Sequence, residues 1–182
     1  MTSHRAIALN VLALYALAAL LAAAFAAQFI LGELPCPLCL LQRIMFALLA
    51  IGPILNIRFG PRPSHYALSL LAAVVGAIVS TRQVLLHITP GDPGFGTALF
   101  GYHYYTWALI GFIAAIVLLS LVLLFDRQFE KAPAAHSAPS VIAHVAVWLV
   151  IGLTAANVAS TLLECGFKAC ADDPVVYELL KR

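Results

Sequence analysis

Four cysteines stand in two close pairs, Cys36-Pro37-Leu38-Cys39 and Cys165 with Cys170 in "ECGFKAC". Thiols that close together can pair as disulfides or ligate a soft metal ion. The first pair carries the more specific chemistry. Pro37 suits the first position of a helix, which makes Cys36 its N-cap. A thiolate there faces the positive end of the helix dipole and free backbone N–H groups, so it is stabilised and leaves more readily. Two intervening residues close a loop too short to constrain the unfolded chain much, which favours a reversible disulfide over one kept for stability. Arg43 follows Cys39 by four residues and shares its helical face.

The segments that must hold these groups are apolar. The chain has 182 residues, is 63% hydrophobic and only 10% charged, against about half and about a quarter in a soluble domain. Five apolar runs stand out, over 6–31, 38–57, 66–88, 105–125 and 140–163. Each is near the roughly 20 residues that a helix needs to cross hydrocarbon. Helices are expected, because unpaired backbone groups are too costly in lipid. The first run exceeds the ~7–15 residues of a signal-peptide core and reads as a retained span. Pro53 is expected to kink the second. The fold class is therefore an all-α integral membrane protein, a single membrane domain followed by a tail over 164–182. Arg43 then lies about one turn inside the membrane, where a charge usually has a function. Arg82, at the outer end of the third run, has two readings: snorkelling to headgroups, or a functional contact.

The separators set an expected orientation. Arg5, Arg58, Arg62, Arg127 and Lys131 flank one set of ends; the loops "GELPCP" and "ITPGDPGFGTALFGYHYY" hold no Lys or Arg. The positive-inside rule makes the first set cytoplasmic, with the N-terminus inside and the C-terminus outside. All four cysteines then face the non-cytoplasmic side, where disulfides persist in bacteria. A net charge of +2, scattered over run ends, gives no nucleic-acid patch.

"CPLCLLQR" opening an apolar helix, with "RQVLLHI" ending the third run, resembles the DsbB family of disulfide-bond formation proteins over about residues 6–125. The resemblance implies a four-helix bundle in the bacterial inner membrane, here with a fifth transmembrane helix. It implies electron transfer from a periplasmic, thioredoxin-fold DsbA-like thiol oxidase to a membrane quinone, ubiquinone or menaquinone. Cys36 and Cys39 would be the quinone-coupled pair, with Arg43 holding or polarising the quinone. Family members carry a second cysteine pair between segments three and four, but that loop, Thr89 to Tyr105, has no cysteine here. Cys165 and Cys170 have two readings, a structural disulfide or a relocated shuttle pair; as a shuttle, the partner would reduce their disulfide, they would reduce Cys36–Cys39 by exchange, and Cys39 would face the quinone. The fifth helix must then pack near the second.

Several features have plainer roles. His103 and the rest of "YHYYTW" read as an interfacial aromatic belt. His87, in the family-like stretch, is the quinone contact expected on that face. His144 and Asn157 are expected to bond between helices. "TPGDPGFG" is a turn-rich loop without the P-loop lysine, and "DDPVVYELLKR" reads as a short amphipathic helix started by Asp173 and Pro174. Two other classes stay open: four thiolates on a structural zinc, or a scaffold with two structural disulfides.

Overall fold

The computed structural model describes residues 2–129 and 140–181; Lys131 and Arg182 lie outside them. It contains six α-helices: α1 (Ser3–Ile30), α2 (Pro37–Leu49), α3 (Ile51–Phe59), α4 (Pro63–Leu86), α5 (Tyr104–Leu123) and α6 (Val141–Cys165). Helices α2 and α3 run on as one span, so among the described residues five helical segments are long and apolar enough to cross a membrane. The chain is an all-α, multi-pass membrane protein, with large apolar side chains such as Leu12, Leu71, Leu118 and Trp148 facing outward.

The second span is interrupted at Ala50, three residues before Pro53. The cause is still the proline. Pro53 has no N–H to give the carbonyl of Leu49 four residues back. That carbonyl instead accepts the Ser69 hydroxyl of α4 at 2.7 Å. Gly52 lets α3 and α4 approach, since a Cβ there would collide with Ser69 and the His65 backbone.

The core lies mid-bundle, where Leu14, Leu17 and Leu21 of α1 meet Phe46 of α2, Ala73 of α4 and Phe112 of α5. The rings of Phe46 and Phe112 stack at 4.1 Å between centroids. Gly76 leaves room for Phe112, because a Cβ on it would strike that ring. At one end, a buried polar cluster ties the helices together. Asn10 donates to Tyr66 at 3.0 Å, Asn56 to Asn10 at 3.0 Å and Tyr66 to Gln128 at 3.0 Å. Such bonds hold helices where no hydrophobic force acts between them.

The cysteines occupy the other end. There β1 (Ala98–Leu99) pairs with β2 (Tyr102–His103) as a small antiparallel hairpin. Its turn, Phe100-Gly101, has both residues at positive φ, 52° and 83°, as a type I′ turn requires. Glu33, after α1, accepts from the Thr97 N–H at 2.8 Å and from its hydroxyl, pinning the hairpin to the α1–α2 connection.

The tail departs from expectation. Instead of an amphipathic helix from Asp173 there is one 3₁₀ turn, Glu178–Leu180. A segment this short does not overcome helix nucleation alone. It is held by tertiary contacts: Tyr177 accepts from Gln28 of α1 at 2.9 Å, and Glu178 binds Lys168 at 2.8 Å as well as Lys181. These two ammonium groups hold the Glu178 carboxyl down to about 2.

Candidate active site

Cys36 caps α2 as its sequence predicts, with Sγ accepting from the Cys39 N–H at 3.1 Å and Pro37 in the first turn. Cys36 and Cys39 form a disulfide. Gln83, from α4, aims its amide nitrogen at both sulfurs, 3.1 Å from Cys36 and 3.5 Å from Cys39. Gln42 donates to the Gln83 carbonyl at 2.9 Å, which fixes that amide's orientation. The pair thus sits among donors that would stabilise negative charge on sulfur.

Arg43 does not snorkel. It is buried, donating to Gln28 at 2.7 Å and to the Ala24 carbonyl at 2.9 Å. Its guanidinium lies 5.4 Å from the Phe25 ring centroid. Gln28 in turn donates to Ser160 of α6 at 2.8 Å and to Tyr177 of the tail. One glutamine therefore joins the arginine to the fifth span and to the tail.

Cys39, Gln42 and Arg43 line a cavity of about 440 Å³ between α1, α2 and α5, roofed by the Glu33–Pro35 turn and the hairpin. Its walls are mostly apolar, with Leu20, Phe46 and Trp107 among them. This is the composition of a site for a largely apolar ring compound with a few polar contacts. A quinone fits that donor set: apolar walls for its body, and a cation and a disulfide sulfur at one side.

The other expected residues lie apart. Arg82 is exposed and lines a separate shallow groove on α4 with Ile78 and Ile116. His87 bonds Asp92 at 3.0 Å and stacks on Tyr105, whose ring is part of the cavity wall. Asp92 is held below the usual carboxylate range by the Gly94 N–H and by His87. Cys165 and Cys170 form the second disulfide, where α6 ends at Gly166. Phe167 within that loop is 95% exposed. Among the described residues, no three His, Cys, Asp or Glu side chains gather as a metal ion would need. Helix α6 does pack near α2, as a shuttle pair requires. Neither His144 nor Asn157 makes the expected interhelical bond: His144 bonds the Ser140 carbonyl of its own helix start, and the Asn157 carbonyl has no partner among the described residues.

Sequence reading passed over Gln28 and Glu164. Gln28 is a polar side chain within the first apolar run, and the cost of that placement was the available signal; Glu164 falls one residue past the fifth run as bounded from sequence, and only the extension of α6 to Cys165 puts it on the span.

The sequence model of the family described as "Disulfide bond formation protein DsbB" matches residues 5–97, just over half the chain. The chain belongs to the DsbB family. The match takes in α1 to α4, with Cys36, Cys39, Arg43 and Gln83, and stops before α5, α6 and the tail. Similar proteins include "Disulfide bond formation protein B" of Xanthomonas axonopodis pv. citri, 44% identical over 42% of this chain and 48% of its own length. Those of the same name from Chromobacterium violaceum and Azoarcus sp. are 42% and 35% identical, over 36% and 41% of this chain and 42% and 48% of theirs. The chain spans about half the length of the curated DsbB relatives it matches. No solved structure matches it.

Proposed function

We propose that this protein is a thiol:quinone oxidoreductase of the bacterial inner membrane, reoxidising a periplasmic DsbA-like disulfide donor. The observation that carries the reading is that Cys39 and Arg43 share the wall of one apolar cavity. In this reading the N-terminus is cytoplasmic and both cysteine pairs are periplasmic.

The chain's residues divide the work. A thiolate of the reduced partner attacks the Cys165–Cys170 disulfide at the exposed loop and leaves with its own disulfide formed. The tail thiols then open Cys36–Cys39 by exchange, returning to their disulfide. Gln83, oriented by Gln42, and the N-terminus of α2 stabilise the thiolate that forms. Arg43 offsets negative charge in the cavity, and Leu20, Phe46 and Trp107 keep water from it. A bound quinone supplies the final acceptor of two electrons and two protons.

The test mixes the reduced, purified protein with ubiquinone in detergent and follows quinone absorbance. Cys39→Ala is expected to abolish quinone reduction, and Cys165→Ala to leave that step intact while stopping oxidation of the soluble partner. No quinone reduction by the intact chain would refute the reading.

A further inference from the structure

Glu164 is the one buried acidic side chain at the cysteine end among the described residues, 2% exposed on α6 and adjacent to Cys165. Neither carboxylate oxygen has a hydrogen-bond partner among the described residues. Ser160, one turn before it on α6, takes a hydrogen bond from Gln28, which accepts from Arg43 of α2, so Arg43 is the buried charge nearest to it along this chain of bonds, with no salt bridge between the two. From α1 comes Gln28, which is uncharged, and from the tail Tyr177, which also faces Arg43. The Lys168–Glu178–Lys181 cluster is internally paired. An unpartnered carboxyl in such a place is costly unless its charge, or its proton, is used.

Arg43 carries one positive charge, and in a poorly polarisable interior it can balance one negative charge well but not two. An ionised Glu164 would take that balance while the disulfide is intact. Reduction of Cys36–Cys39 creates a second candidate at Cys39, on the same cavity wall as Arg43. We infer that Glu164 is the proton-holding group of this site, taking up the Cys39 proton when the Cys36–Cys39 disulfide is reduced. The inference rests on the proposed redox cycling of that pair.

The step balances. A dithiol gives two electrons and two protons to Cys36–Cys39; the S–S bond breaks and two thiols form. The Cys39 S–H bond then breaks and a Glu164 O–H bond forms. Arg43 with a carboxylate becomes Arg43 with a thiolate and a neutral acid, so the net charge is unchanged. The proton waits on the fifth span, which lies outside the residues shared with the DsbB family.

Infrared difference spectroscopy on the full chain in detergent tests this, with dithiothreitol as reductant and no quinone. Reduction is expected to raise a protonated-carboxyl C=O band that Glu164→Gln removes and Glu164→Asp restores at a shifted frequency. The band should persist in Cys165→Ser/Cys170→Ser and vanish in Cys36→Ser/Cys39→Ser. Absence of the band in the intact chain would overturn the inference, as would its survival in Glu164→Gln or its dependence on the tail pair alone. If Glu164→Gln fails to fold, the intact chain, the two cysteine variants and Glu164→Asp still decide. Because no quinone is present, a band with no quinone turnover refutes only the proposed function, and turnover with no band refutes only the proton-holding role.

Discussion

Gln83 touches both sulfurs of the first pair, and its contribution separates from that of the helix N-terminus. Its amide nitrogen donates to Cys36 and Cys39, while its carbonyl is held by Gln42. Gln83→Leu keeps the side chain's bulk and removes both functions. A hydrogen bond to a charged group contributes about 1.5–3 kcal/mol, which corresponds to a roughly 10- to 100-fold slower thiolate-dependent step. Quinone reduction by the reduced variant is expected to slow by that factor, and an unchanged rate would remove Gln83 from the chemistry. Cys36, Cys39 and Arg43 were legible from sequence because their spacing fixes a cap and a shared helical face. In the sequence Gln83 is only the polar residue that follows Arg82. Along α4 the two are adjacent, but the helix turns Gln83 inward to the sulfurs and leaves Arg82 outside. A single sequence does not say which side of α4 faces α2, because both sides are rich in apolar residues.

At the scale of elements, the break in the second span rests on an exchange of partners. Pro53 withholds an N–H from the Leu49 carbonyl, and Ser69 supplies a hydroxyl in its place. Ser69→Ala leaves that buried carbonyl unpaired, at a cost of about 1–3 kcal/mol. Pro53→Ala restores an intrahelical donor, so the double variant is expected to recover part of the loss. Thermal unfolding of the four chains in detergent measures this coupling, and strictly additive losses would refute it. Gly76→Leu drives a side chain into the Phe112 ring and is expected to lower stability by about 1–3 kcal/mol, read by the same melts. The five spans themselves were legible, since a run of about 20 apolar residues has few alternatives. The tail was not. Its alternating polar and apolar residues fit a short helix, but the contacts of Tyr177 and Glu178 with groups far along the chain or across the loop decide its shape.

For the whole molecule, the tail and the topology carry the remaining predictions. Glu178 is held near 2 by Lys168 and Lys181, below its ordinary 4.5. A carboxyl lowered in the folded state contributes stability above its unfolded value and loses it as pH falls toward the folded one. The tail is therefore expected to stay docked at neutral pH and to loosen between about 4.5 and about 2. Methyl NMR of Val175 and Val176 reports this; Glu178→Gln should show the loosened signals already at neutral pH, and flat spectra would refute the docking role. The proposed orientation is argued from where free charge sits. Arg5, Arg58, Arg62 and Arg127 are exposed at the end away from the cysteines. At the cysteine end, Lys168 and Lys181 are tied to Glu178 and Arg43 is buried, which leaves Arg82 as the exposed basic side chain without a salt bridge there among the described residues, against four at the other end. Uncompensated positive charge resists translocation, so the arginine end is expected in the cytoplasm. In intact cells after mild reduction, an impermeant maleimide should label Cys165 or Cys170 but not an introduced Ser64→Cys beside Arg62. Labelling of the introduced cysteine, with the tail pair protected, would invert the topology. It would also place both thiol pairs in a reducing compartment, where a disulfide-forming function could not operate.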